Sequence, residues 1–206
     1  MKQYRSIDGR IVDIDVIAFD KLDGSNIRAE WDRKHGLHKF GSRKVLLGAD
    51  HPFLGRAIEV TMAKYADALG AIFRAERVDF VTCFFEFHGA RSFAGLHEAD
   101  DPTLTTTLID VDVFKRGQLP PREFLRLFDG KVETPSVLHE GKPNADFIRS
   151  VKESTLEGMT CEGVVCKGLP TKKGYPVTMF KVKSVRWIEA VKARYGNDPK
   201  MLAEIL

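Results

Sequence analysis

Asp20-Lys21-Leu22-Asp23-Gly24-Ser25-Asn26 is the stretch on which the reading of this sequence turns. It lies between two runs of alternating apolar residues. Val12, Ile14, Val16 and Ala18 share one face of the first run, and Ile27, Ala29 and Trp31 share one face of the second. Asp23-Gly24 is a turn signal, so the two runs are expected to form a hairpin with Lys21 at the end of its first strand. A lysine amine attacks only when deprotonated, and at an ordinary pKa of ~10.4 it is almost wholly charged. Burial or neighbouring cations lower that value, so a reactive lysine belongs in a cleft beside other cations or a metal. The same string also describes a hairpin turn with a solvated lysine.

Working outward, Asp32-Arg33-Lys34-His35-Gly36 reads as a second turn, returning the chain through Leu37 to Arg43. Ile58, Met62, Tyr65, Leu69 and Ile72 recur at spacings of four and three and predict a helix over 52–76. Val78 to Phe87 is a near-continuous apolar run, as in a strand buried on both faces. From Leu108 to Phe114 the chain alternates, with Ile109, Val111 and Val113 pointing one way and Asp110 and Asp112 the other. Pro120-Pro121 opens a short helix through Phe128, and another helix is expected from Asn144 to Ser154. Glu162 to Lys167 and Val177 to Lys183 are short strands, and Ser184 to Tyr195 is a terminal helix. Strands and helices do not alternate regularly. That order predicts an α+β fold with antiparallel sheets, not a doubly wound one.

The 206 residues suit one domain spanning 1–206, and 43% hydrophobic with 30% charged residues excludes a mainly disordered chain. No apolar run reaches the ~18–20 residues a bilayer demands, and no apolar stretch follows Met1-Lys2-Gln3-Tyr4-Arg5, so neither a membrane span nor a signal peptide is expected. Cys83, Cys161 and Cys166 form no Cys-x-x-Cys, which points to a reducing cytoplasm. The net charge of +3 hides an asymmetry: from Lys167 onward nine Lys or Arg face three acids. A basic segment of that kind meets phosphate or stands solvated. There is no Gly-x-x-x-x-Gly-Lys-Ser phosphate loop, and the six histidines show no His-x-x-x-His spacing, so they read as surface or core residues.

Three later motifs change the weight of Lys21. Phe84-Phe85-Glu86-Phe87-His88-Gly89 places one carboxylate inside an apolar strand, where acids are rare unless they have a task. Glu162-Gly163-Val164-Val165-Cys166-Lys167 follows, and then Phe180-Lys181-Val182-Lys183-Ser184. In a strand Lys181 and Lys183 share a face about 7 Å apart. Such a pair repels unless an anion such as a triphosphate lies between them, or unless the strand is a solvated edge.

Taken in order, the Lys21, Glu86, Glu162 and Lys181/Lys183 motifs resemble the nucleotidyltransferase motifs of ATP-dependent polynucleotide ligases and mRNA capping enzymes. Asn26 and the Ser42-Arg43 pair are most similar to the phage-type RNA ligase 2 branch. The resemblance spans residues 21–183. It implies an adenylation domain of antiparallel sheets flanked by helices. It also implies a three-step reaction: AMP passes from ATP to Lys21, then to a 5′-phosphate, and is released when a 3′-hydroxyl seals the break. Lys21 would be the nucleophile, with Lys181 and Lys183 on the α-phosphate and Glu162 on a metal beside the lysine. Glu86 would hold the ribose hydroxyl or a metal-bound water, and Asp23 a hydrated metal or Lys21 itself. Gly24, Asn26, Arg43 and Lys167 would join the nucleotide and strand contacts. The implied cofactors are ATP and Mg²⁺, with Mn²⁺ as a substitute. The implied partner is nucleic acid carrying a 5′-phosphate and a 3′-hydroxyl, RNA before DNA.

The sequence departs from the family in three places. Val111-Asp112 stands where an aromatic-Asp pair is usual, so adenine would pack on Val111 or on Phe114, with Asp112 in the nucleotide site. Thr178 stands where the RNA ligase branch tends to carry arginine. After Lys183 there is room for a helix and a short tail, so no C-terminal OB-fold is expected. An accessory chain could supply a nucleic-acid-binding domain. The competing readings are a minimal ATP-dependent DNA ligase and a nucleic-acid-binding protein that keeps the fold without sealing.

Overall fold

The structure, a computed structural model, describes residues 1–52, 54–170 and 176–206. Phe53, inside the helix expected over 52–76, lies outside them. The strands are β1 (Val16–Asp20), β2 (Ser25–Asp32), β3 (Gly36–Ser42), β4 (Phe80–His88), β5 (Thr105–Val113), β6 (Gly117–Gln118), β7 (Val137–Gly141), β8 (Gly163–Gly168) and β9 (Met179–Lys183). The helices are α1 (Gly55–Ala75), α2 (Pro121–Phe128), α3 (Ala145–Lys152), α4 (Val185–Tyr195) and α5 (Pro199–Ile205). Both sheets are antiparallel throughout, as expected for α+β. Among the described residues, two helices and no barrel follow β9. No helix among them is long and apolar enough to cross a membrane.

The chain divides into two compact units. The first comprises residues 1–6, 24–134 and 170–177 and holds a five-stranded sheet in the order β3-β2-β4-β5-β6. One face of that sheet carries Ile27, Ala29, Trp31, Cys83, Phe85 and Val111, all buried. There α1 packs, with Tyr65 tilted against Phe85 at 5.1 Å and Phe73 against Trp31 at 5.1 Å. Each such ring, fully buried, contributes about 1.5–3 kcal/mol. The opposite face carries Asn26, Arg28, Glu30, Glu86, Asp110 and Asp112.

The apolar stripe expected on α1 is turned in the structure. Met62 is 38% exposed, while Ala57, Thr61, Tyr65, Leu69 and Phe73 are buried. Thr61 can replace Met62 because its hydroxyl donates to the Ala57 carbonyl at 2.6 Å and so enters the core satisfied.

The second unit comprises residues 7–23, 135–169 and 178–206, with a four-stranded sheet in the order β7-β1-β8-β9. Val16, Ala18, Val164, Cys166, Phe180 and Val182 line one face and pack on Phe147 and Val151 of α3. Asn144 caps α3, accepting from the Phe147 N–H at 2.9 Å.

The hairpin expected from Val12 to Trp31 does not form. β1 and β2 lie in different sheets: β1 pairs with β7 and β8, and β2 with β3 and β4. Every residue of β1 is buried, and a strand buried on both faces is satisfied as an interior strand with two partners. Asp23-Gly24 therefore marks a change of sheet. A Cβ on Gly24 would sit 2.2 Å from the Phe87 carbonyl, so only glycine lets β2 start this close to β4. Val12 and Ile14 precede β1 and pack on the core beside α3.

Candidate active site

In the second unit, three strand ends meet. Lys21 directly follows β1 and its N–H donates to the Gly163 carbonyl at 2.9 Å, extending the β1–β8 ladder by one residue. Glu162 directly precedes β8, and its carbonyl accepts from the Ser184 N–H, just past β9, at 3.0 Å. Across β8 and β9, Gly163 is paired with Lys183 and Val165 with Lys181. Across β1 and β8, Ile17 is paired with Lys167. Directly paired residues project to the same side. Lys167, Lys181 and Lys183 therefore share the face opposite the α3 core, with Lys21 at its edge.

Glu162 is the hub of this group. One carboxylate oxygen lies 2.7 Å from Lys21 Nζ and the other 3.1 Å from Lys183 Nζ. The Glu162 and Lys183 side chains are buried at 5% and 8% exposure, whereas that of Lys21 is 22% exposed. Burial pushes the Lys183 ammonium down from its ordinary value, and the Lys21 charge adds to that, against the pull of Glu162. Two cations share the Glu162 carboxylate, and the charges of Asp23 and Asp20 also act within the group.

The sequence reading gave no role to two groups that hold this constellation. Gly163 has φ +138°, and a Cβ there would meet the Val182 carbonyl at 2.0 Å, so glycine alone brings β8 hard against β9 at Glu162. Trp187, buried on α4, donates its indole N–H to Asp23 Oδ2 at 2.6 Å, and its ring lies 4.2 Å from Lys183 Nζ. No local signal marked the role of Trp187, whose bond to Asp23 joins residues 164 apart in the chain. Asp20 is likewise buried and accepts from the backbone and hydroxyl of Thr160 at 3.0 and 2.9 Å. Burial raises its pKa from the ordinary value while the Thr160 bonds oppose that rise.

The remaining lysines are placed as follows. Lys167 is 3% exposed, with Nζ 4.9 Å from the centre of the Phe19 ring. Lys181 Nζ donates to the Leu206 carbonyl at 3.2 Å, and Lys183 Nζ to the Ile205 carbonyl at 2.6 Å. The C-terminal end of α5 thus lays its carbonyls, the negative end of the helix dipole, on the two lysines expected to hold phosphate.

The other expected residues belong to the first unit. Asn26 of β2 is paired with Glu86 of β4. Asn26 Nδ2 is 3.4 Å from the Phe85 carbonyl, whereas Oδ1 is buried with no hydrogen-bond partner among the described residues. An orphaned buried acceptor beside a carboxylate is a place where a ligand donor gains a full hydrogen bond. Asp112 pairs with Lys2 and lines a cavity of about 290 Å³ with Lys2, Tyr4, Phe84, Arg116 and Gln118. Arg43 is exposed on the loop after β3. Phe114 is 60% exposed just past β5, edge-on to Phe80 at 6.2 Å. Val111 is fully buried on the face under α1, turned away from Asp112.

No family model matches the chain, and no curated protein is similar to it. Solved structures are. An archaeal ATP-dependent RNA ligase superposes with a TM-score of 0.66 at 17% identity, covering 95% of this chain and 52% of that one. Naegleria gruberi RNA ligase superposes in a mutant with ATP and Mn at 0.63 and 15% identity, covering 91% of this chain and 58% of that one. A second mutant, with AMP and Mn, superposes at 0.60 and 16% identity, covering 86% and 52%. This chain spans about half the length of the solved structures it matches. At such identity the likeness establishes the fold: antiparallel sheets and flanking helices arranged as in the nucleotidyltransferase domain of ATP-dependent RNA ligases.

Proposed function

We propose that the chain is an ATP-dependent RNA ligase of the phage RNA ligase 2-like branch, acting through a covalent lysyl-AMP, with residues 1–206 as one adenylyltransferase domain. The observation that carries this reading is the convergence of Lys21, Glu162 and Lys183 at the ends of three adjacent strands. Lys21 must shed a proton before it attacks, and Glu162, 2.7 Å away, is within reach to take it. The Nζ–phosphorus bond then forms as the bond from the α-phosphorus to pyrophosphate breaks. A 5′-phosphate oxygen next takes the AMP from Lys21, and a 3′-hydroxyl displaces AMP to make the phosphodiester. Lys181 and Lys183 neutralise charge on the α-phosphate, the dominant contribution in phosphoryl-type transfer. In doing so they exchange the Leu206 and Ile205 carbonyls for phosphate oxygens.

Lys167 and Arg43 serve the phosphates or the incoming strand. Gly24, Asn26, Glu86, Asp112 and Phe114 serve the nucleotide, Phe114 as the exposed ring available to adenine. The carboxylates of Glu162 and Asp23 are all-oxygen donors. Among the described residues neither belongs to a cluster of three potential ligands, which suits a hard ion held by one or two carboxylates together with substrate phosphates. Mg²⁺ or Mn²⁺ on Glu162 and Asp23, with Glu86 as a separate carboxylate for a metal-bound water or the ribose hydroxyl, would supply further neutralisation of phosphate charge. The neighbours with ATP or AMP and Mn support this choice. The three unpaired cysteines suit the cytoplasm. An accessory chain with a nucleic-acid-binding domain belongs to the same reading.

The test is strand joining on nicked duplexes with RNA or DNA on the 3′-hydroxyl side, with ATP or GTP. Sealing with ATP that favours RNA is expected. Preference for an all-DNA nick would shift the reading to a DNA ligase, use of GTP would shift it to capping, and tight binding without sealing would leave a binding module.

A further inference from the structure

We propose that Asp32, His35 and His38, at the β2–β3 hairpin, form a surface site for a divalent transition metal such as Zn²⁺. The hairpin itself gathers these donors. β2 ends at Asp32, the chain turns through Arg33-Lys34-His35, and Gly36, at φ +68°, starts β3. Glu30 is paired with His38, so Asp32, two residues beyond Glu30 on the same face, is the diagonal neighbour of His38. One donor atom from each residue lies within 4.8 Å of the other two. Asp32 Oδ2 is 2.9 Å from His35 Nδ1 and 3.6 Å from His38 Nε2. Ligands at about 2.0–2.1 Å from a tetrahedral zinc stand roughly 3.3 Å apart, a value that the two Asp32–histidine spacings bracket.

The donors are also oriented from behind. Asp32 Oδ1 accepts from the N–H groups of Lys34 and His35 at 2.8 and 2.7 Å, which fixes the carboxylate and leaves Oδ2 directed at the rings. His38 Nδ1 is 2.9 Å from the Gly36 carbonyl. A carbonyl only accepts, so Nδ1 carries a proton, and in the neutral ring Nε2, facing Asp32, keeps the lone pair, which is the outer-shell arrangement typical of metal-ligating histidines. At His35 the metal takes the place of the proton shared between Nδ1 and Asp32, and the ring keeps its proton on Nε2. Two nearby cations are occupied elsewhere: Arg33 pairs with Asp79 at 2.9 Å and Lys39 with Glu30 at 3.0 Å. Imidazole nitrogens select Zn²⁺, Co²⁺ or Ni²⁺ over Mg²⁺ and Ca²⁺, and the exposed position of His35 leaves a coordination place for water.

Isothermal titration of the full chain with ZnCl₂ tests the proposal, comparing wild type with Asp32→Asn, His38→Ala and Glu162→Ala. Wild type and Glu162→Ala are expected to take up one equivalent whose affinity falls at least about tenfold in the other two variants. Should either hairpin variant fail to fold, the wild-type protein decides alone. Co²⁺ should shift and broaden the ring resonances of His35 and His38. No uptake by wild type, uptake that survives both hairpin substitutions, or ring resonances untouched by Co²⁺ would each overturn the site.

Discussion

Each sheet turns one apolar face to a helix and one charged face away from it, but the two charged faces are neutralised in different ways. In the five-stranded sheet the acids draw their partners from the N-terminal segment and from β3 and β6. Glu30 pairs with the N-terminal amine and Lys39, Asp112 with Lys2, and Asp110 accepts from Tyr4 and Gln118. In the four-stranded sheet two lysines crowd one carboxylate, and helix carbonyls supply further oxygens to Lys181 and Lys183. A face with surplus cations favours an anion such as phosphate. On that ground the proposed phosphate chemistry is assigned to the smaller sheet.

The comparison breaks most sharply at Lys21. Lys21→Ala is expected to lower transfer of AMP from ATP to protein by about 10⁴-fold or more, measured as retained label. Glu162→Ala and Lys183→Ala should each cost roughly 10²–10³-fold in the same assay, because each removes one member of a preorganised charge group. Removing residues 197–206 should instead sharpen the contrast, lowering KM for ATP about tenfold by releasing the lysines from the α5 carbonyls. An unchanged or higher KM would mean that these carbonyls do not compete with phosphate. On the other sheet, Val111→Phe should destabilise the chain by about 1–3 kcal/mol through overpacking, with labelling per folded molecule retained. Tighter ATP binding at an unchanged Tm would place Val111 against adenine after all.

The smallest effect is a pH response confined to the loop between β4 and β5. Asp101, buried there, accepts from the Thr103 hydroxyl and from the Thr103 and Arg91 N–H groups. The hydroxyl bond leads in bringing its pKa from 3.8 down to about 2. A folded-state pKa below the unfolded one stabilises above the ordinary value and is lost as pH falls through the lower one. Protection of the Arg91 and Thr103 amides, relative to their intrinsic exchange rates, should therefore fall between pH ~4 and ~2, and Asp101→Asn should remove that dependence.

How much of this was legible in the sequence varied with the range of the interaction. Element identity was largely readable because periodicity and caps are local. Asn144 and Ser184 both cap the helices expected to follow them. Sheet membership was not, since Asp23-Gly24 satisfies the local rules for a hairpin and only the burial of both faces of β1 forbids one. Three elements were missed, among them β6, whose two residues carry no periodicity. β7 has a weak apolar pattern and exists because β1 requires a second partner, whereas Asp198-Pro199 announced α5 by ordinary capping signals. At the site, reactive side chains betray themselves by type and spacing. The groups that position them, Gly163 and Trp187, act through close approach and a long-range hydrogen bond. The His35 and His38 pair escaped notice because it is ordered by hairpin register, not by the helical spacing sought.

The central claim is that Lys21 Nζ carries the nucleotide. Incubation of the chain with ATP labelled at the α-phosphate and magnesium, followed by acid quench and peptide mapping, tests it directly. The account predicts one acid-stable AMP adduct, on the peptide containing Lys21. No adduct, or an adduct that persists in Lys21→Ala, would contradict it.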